Sequence, residues 1–137
     1  MSDSTPQHNA LARIHRLCNV TVAAVWIYQG LVPKLLGPHL DEVAMSVAFG
    51  IPQGLQAPVS YGVGAAEILF GLCLLLLSRR EWPQVVSALA TAGLLVFVAL
   101  FAPRYLVGAF NPVTLNVMSI VLSVIAVLAL RAQAEGR

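Results

Sequence analysis

Apolar residues in this chain fall into four long blocks, over residues 10–32, 59–77, 83–102 and 112–130, each interrupted only by isolated polar positions. A helix needs about 20 predominantly apolar residues to cross a bilayer, so the blocks predict four spanning helices. The flanking residues agree. Asn9 stands where a cap would precede the first helix and Pro33 where that helix would stop. Pro83 falls in the first turn of the third, Pro103 just past its end, and Asn111 with Pro112 at the cap and first position of the fourth. The polar run Ser78, Arg79, Arg80, Glu81 separates the second block from the third.

Residues 34–58 are neither apolar enough to span nor polar enough to be a plain loop. Gly37-Pro38 opens a predicted helix, with Asp41 and Glu42 in its first turn, where the helix dipole favours carboxylates. Leu40, Val43, Ala44, Val47 and Ala48 recur at helical spacing and suit a helix lying at the membrane surface or capping the bundle. Gly50, Pro52, Gly54 and Pro58 then turn the chain back into the bilayer.

Composition sharpens this. Of 137 residues, 58% are hydrophobic and 10% charged, against about 25% charged in a soluble domain, which excludes a water-soluble globule. A net charge of +2 gives no footprint for nucleic acid. Cys18 and Cys73 are far apart in apolar surroundings, with no CxxC and no Cys/His spacing for a metal; both are expected to stay reduced thiols. The organisation expected is a tail over residues 1–9, one four-helix domain over 10–131 and a second tail over 132–137. With both termini cytoplasmic, six of the eight basic residues lie inside (Arg13, Arg16, Arg79, Arg80, Arg131 and Arg137) and only Lys34 and Arg104 outside, as the positive-inside rule favours. The expectation is therefore an all-α membrane protein, a four-helix bundle with an amphipathic interfacial helix between its first two spans.

Each span carries a polar or small-residue stripe. His15, Asn19, Trp26 and Gln29 share one face of the first; Ser60, Gly64, Glu67 and Gly71 one face of the second; Ser87 and Thr91 mark the third, and Asn116, Ser119 and Ser123 the fourth. Glu67 is the strongest signal, since it lies near the bilayer centre, where a carboxylate is costly and marks a functional site by default. The competing reading is a Glu67 that only ties helices together. Lys34 and Arg104 are expected at the outer interface, with no basic residue at the depth of Glu67, and His15 is expected to be a juxtamembrane residue.

Three blocks carry a resemblance. Residues 26–35 (WIYQGLVPKL), Ala66-Glu67 followed by Gly71, and residues 110–116 (FNPVTLN) resemble the DoxX-like family of small bacterial membrane proteins. The resemblance implies a four-helix membrane bundle in the bacterial inner membrane. The family's name comes from subunits of a thiosulfate:quinone oxidoreductase, which makes a quinone the implied cofactor and a redox protein the implied partner. A quinone needs donors for two carbonyl oxygens, a slot for its ring and a proton-exchanging group. Tyr28, Gln29, Asn111 and Asn116 supply donors, Trp26 a ring, Lys34 a cation, and Glu67 is the candidate catalytic acid. No flavin, haem or metal motif is present, so any electrons must come from a partner or a bound group. A small-solute or lipid-binding carrier, and a scaffold for a soluble partner or a homo-oligomer, are the other readings.

Overall fold

The computed structural model describes residues 4–37, 39–107 and 112–136, and no strand occurs among them. Helix α1 spans Ser4–Gly30 and continues into a π-helical segment, Leu31–Leu35. Helix α2 is Leu40–Ala48, α3 Gln56–Leu76, α4 Trp82–Phe101 and α5 Pro112–Glu135, with short 3-10 turns at Gln53–Leu55 and Pro103–Leu106. Four stretches are long and apolar enough to cross a membrane: Pro6–Leu35, Gln53–Leu76, Trp82–Phe101 and Pro112–Glu135. The chain is thus an all-α membrane bundle with a short helix between its first two spans.

Helix α1 is central. It packs on α3 and on α5, α5 packs on α4, and α3 barely meets α4. Consecutive spans are antiparallel: His15, early in α1, contacts the carbonyls of Ser78 just past α3 and Ala126 late in α5, and Arg131 near the end of α5 pairs with Glu81 just before α4. Both ends of the helical chain therefore lie at one end of the bundle, the terminal end. The π-helical segment, α2 and the 3-10 turns lie at the other, the loop end. There Phe49, next after α2, stacks on Phe97 of α4 at 3.8 Å and bridges toward the helix that α3 barely meets.

Lipid tails are as apolar as leucine, so helices in a bilayer associate through close packing and hydrogen bonds rather than hydrophobic drive. The interior follows that rule. Its buried apolar cluster is small, Val22, Ala23 and Leu74, with Trp26, Phe70 and Leu122 packed around it. Buried polar side chains link the helices: Asn19 Nδ2 donates to the Leu74 carbonyl at 3.0 Å, Gln84 Nε2 to Asn19 Oδ1 at 2.7 Å, Trp26 Nε1 to Ser87 Oγ at 2.8 Å and Ser123 Oγ to Ser87 Oγ at 3.3 Å.

Several boundaries differ from the sequence expectation. Helix α1 begins at Ser4, so Asn9 lies inside it rather than capping it. His15 is buried between the helices, on the inward face that its stripe predicts. Its Nδ1 lies 2.9 Å from the Ala126 carbonyl and its Nε2 2.7 Å from that of Ser78; a ring protonated on both nitrogens donates to both, a neutral ring to one. Pro33 does not stop the first helix but sits in the π-helical segment, whose wider turn bonds Leu36 N–H to the Leu31 carbonyl five residues back at 2.9 Å. Helix α3 starts at Gln56, ahead of the expected 59, with Pro58 in its first turn, where proline is tolerated. Helix α2 forms over the predicted stripe, but Leu40 and Val47 face outward and Ser46 is its buried residue, as in a helix with an apolar face turned to lipid. Pro38, Phe110 and Asn111 lie outside the described residues.

Candidate functional site

The site forms where the end of α1 crosses α3. A Cβ on Gly30 would collide with the Gly64 carbonyl, and one on Gly64 would lie 2.7 Å from the Gly30 carbonyl and 2.8 Å from Lys34 Cβ. One turn along α3 from Gly64 stands Glu67. Two glycines thus bring the backbones together and seat the stem of Lys34 directly over the carboxylate.

The lysine turns inward. Its Nζ stands 3.0 Å from Glu67 Oε2 and 3.2 Å from Glu42 Oε1, with only 12% of its side chain exposed. The Glu67 contact has ion-pair distance without hydrogen-bond geometry, since Oε2 is buried and takes part in no hydrogen bond. Three charged groups, from the π-helical segment, α2 and α3, therefore form one cluster with a cation between two carboxylates. The expectation that no basic residue shares the depth of Glu67 is overturned, and so is the reading of Lys34 as an outer anchor.

Proline chemistry explains the reversal. Pro33 has no N–H to give to the carbonyl of Gln29, four residues back, and Lys34 Nζ stands 3.4 Å from that same carbonyl. The residue that removes a backbone donor is followed by the one that replaces it with an ammonium. Arg104 does behave as an interface residue: exposed, it lies over the Tyr105 ring at 5.0 Å and donates to the Tyr105 hydroxyl at 3.3 Å.

The remaining sequence candidates divide. Gln29 adjoins the cluster through its backbone carbonyl. Trp26 lies on α1 one turn before Gly30 and meets Phe70 of α3 edge-on, with ring centroids 4.9 Å apart, while its N–H is already committed to Ser87. Tyr28 is 60% exposed and faces away from the bundle, so the structure does not bring it to Glu67. Asn116 is buried with its Nδ2 unpartnered among the described residues, on α5. Asn111 lies outside the described residues.

Sequence reasoning missed Glu42 as a member of the cluster, having accounted for it by the helix dipole. It also missed Gln84, although Gln84, Ser87 and Thr91 are spaced as one helix face. Cys18 is buried and Cys73 half-buried, both free thiols.

Residues 23–124 match the DoxX-like family. The chain belongs to that family. The matched stretch holds the last two turns of α1 with the π-helical segment, all of α2 to α4 and the first half of α5, and so contains the whole Lys34, Glu42 and Glu67 cluster of this DoxX-like protein. No curated protein and no solved structure matches the chain.

Proposed function

We propose that this DoxX-like protein is the membrane subunit of an oxidoreductase and binds a quinone, or an apolar ring ligand like it, beside the Lys34 and Glu67 pair. The observation that carries this reading is the pair itself, two opposite charges held 3.0 Å apart within spanning segments, where charged groups are rare and mark ligand or proton sites. Reduction of a quinone to a quinol takes two electrons and two protons. Were a quinone bound there, its electrons would come from a partner redox protein, the Lys34 ammonium would donate to one ring carbonyl, and Glu67 would pass the two protons on one at a time, each taken up from solvent beforehand, since the carboxylate paired with Lys34 carries none of its own. Trp26 and Phe70 supply ring surfaces two turns or less from the cluster. On this reading the protein sits in the bacterial inner membrane with both termini cytoplasmic, as one domain over residues 10–131, and the cluster lies toward the outer side.

A second reading has an observation of its own. The Gly30 and Gly64 contact is tight enough for the ion pair to be a clamp on two helices. Glu67→Gln separates the two, because it keeps the shape and loses proton exchange. With decylubiquinone titrated into the delipidated protein in maltoside micelles and bound quinone read by native mass spectrometry, the wild type is expected to retain one quinone, while Glu67→Gln folds normally and retains at least tenfold less. Retention unchanged in Glu67→Gln with a lowered unfolding midpoint makes the pair a clamp and overturns the proposal.

A further inference from the structure

The terminal end of the bundle is stepped. His15 of α1 lies level with Ser78 and with Ala126 of α5. Beyond that level α1 runs back to Ser4, about three more turns, and α5 on to Glu135, about two, whereas α3 has stopped at Leu76 and a short connection leads to α4 at Trp82. Two ledges result, one over the start of α4 and one over the end of α3. The first is closed by charge: Arg131 of α5 bonds to Glu81 Oε2 at 2.8 Å, and Glu135 follows one turn after Arg131.

The ledge over α3 is different. The stripe of α1 that packs on α3 runs Lys34, Gly30, Ile27, Ala23, in alternating steps of four and three residues. Continued at the same spacing it passes Val20 and reaches Arg16 and then Arg13. Gly30 faces Gly64 and Ala23 faces Gly71, so one more such interval brings Arg16 level with Ser78, past the last residue of α3. The approach of His15 Nε2 to the Ser78 carbonyl, 2.7 Å, sets the same level. There the Arg80 N–H donates to the Leu77 carbonyl at 2.8 Å, a tight turn with Ser78 and Arg79 at its corners. Arg13 and Arg16 from α1, with Arg79 and Arg80 from the turn, thus border one ledge. All four are exposed, and none joins an ion pair among the described residues. A count of basic residues per membrane side accounts for their number. It does not gather them on one ledge while the arginine of the other has its own carboxylate.

Four uncompensated guanidiniums call for an anion, and what lies beneath them says which kind. Leu17 and Val20 of α1 and Leu75 and Leu76 of α3 are exposed just below, on the side that faces acyl chains, and Trp82 at the start of α4 is half exposed at the same end, as interfacial tryptophans are. An occupant that satisfies both layers has an anionic head and apolar chains. Guanidinium forks hold phosphate oxygens by paired N–H bonds, and basic clusters at a membrane surface attract anionic lipid. We propose that the ledge over the end of α3 is a binding site for one anionic phospholipid, its headgroup held between the α1 arginines and the turn and its chains lying along the seam of α1 and α3. The site is at the opposite end of the bundle from the Lys34 and Glu67 cluster and does not depend on it.

Dioleoylphosphatidylglycerol and dioleoylphosphatidylcholine test this, because they share chains and phosphate and only the first headgroup has a net charge. Titrated into the delipidated full-length protein in maltoside micelles and read by native mass spectrometry, one phosphatidylglycerol is expected to bind about tenfold tighter than phosphatidylcholine. Two exchanges of neighbours, Arg13→Ile with Ile14→Arg and Arg16→Leu with Leu17→Arg, keep composition and total charge but carry both guanidiniums about 100° round α1, off the ledge. Ile14 and Leu17 are exposed, so the exchanged chain should keep its unfolding midpoint while the preference falls below about threefold. Arg79→Gln with Arg80→Gln, in the turn, should weaken phosphatidylglycerol by about threefold or more. Arg131→Gln with Glu81→Gln, on the other ledge, should leave the preference at its wild-type value. A preference that survives the exchanges, or survives the loss of Arg79 and Arg80, is diffuse attraction to a positive end and overturns the proposal. So does equal binding of the two lipids, loss of the preference in the Arg131 and Glu81 variant, or displacement of phosphatidylglycerol by equimolar inorganic phosphate, which would make the ledge a site for a free anion.

Discussion

Lys34 and Glu67 show how a single position changes meaning with its neighbours. Removing one member of a buried ion pair leaves the other charge without compensation and typically costs about 3 to 5 kcal/mol, whereas replacing both by apolar groups of similar volume is often neutral. Lys34→Met is accordingly expected to destabilise the bundle by about 3 kcal/mol, because it leaves Glu67 and Glu42 facing each other without the cation between them. Lys34→Met with Glu67→Met should restore most of that loss. Equilibrium unfolding of the singles and the double in mixed micelles reads the coupling directly, and a double variant as unstable as the sum of its singles would mean that the pair does not act as a unit. That Glu67 faces another helix was legible from its spacing with Gly64 and Gly71. The partner was not, because a lysine one residue after a proline reads as the end of a helix, and only the π-helical turn carries it round onto the α3 face.

The π-helical segment is the element on which that placement depends. In a regular α-helix an alanine at position 33 would donate its N–H to the Gln29 carbonyl, which Lys34 Nζ approaches instead. Pro33→Ala restores the donor, competes with the ammonium for that carbonyl and lets the turn tighten, which moves Lys34 off the line of Gly64 and Glu67. Lys34 is the sole lysine in the chain, so its exposure has a clean readout. Labelling by a water-soluble amine reagent, slow in the wild type where 12% of the side chain is exposed, should rise severalfold in Pro33→Ala, with labelling of the N-terminal amine separated by peptide mapping. Unchanged labelling would show that the glycine contacts, and not the proline, hold the lysine inward. At this scale the sequence was readable wherever hydrophobic length decides, as for the four spans, and less so at ends. Asn9 and Pro33 are good boundary residues in water, but a bilayer penalises every unpaired backbone group, and the helix continues through both.

At the scale of the whole molecule, charge at the two ends sets orientation. The terminal end holds Arg13, Arg16, Arg79, Arg80 and Arg131, with Glu81 pairing Arg131. At the loop end Lys34 is held between two carboxylates inside the bundle, which leaves Arg104 as the basic residue exposed there among the described ones. Basic residues near span ends are retained on the cytoplasmic side and acidic ones count for little, and the rule acts on the chain as it inserts, so the six-to-two ratio of the sequence is the asymmetry that decides. Both termini are expected to be cytoplasmic. A cysteine replacing Arg80, in a background with Cys18 and Cys73 changed to serine, should react with a membrane-impermeant maleimide in inverted vesicles and not in right-side-out ones. A cysteine replacing Gln53 should show the opposite pattern. Lys34→Met removes one of the two outer basic residues and should leave this topology unchanged, while Arg79→Gln with Arg80→Gln and lysines at Gln53 and Gln56 should give a mixed population. Labelling of residue 80 from outside in the otherwise unaltered chain would reverse the orientation and place the Lys34 and Glu67 cluster on the cytoplasmic side.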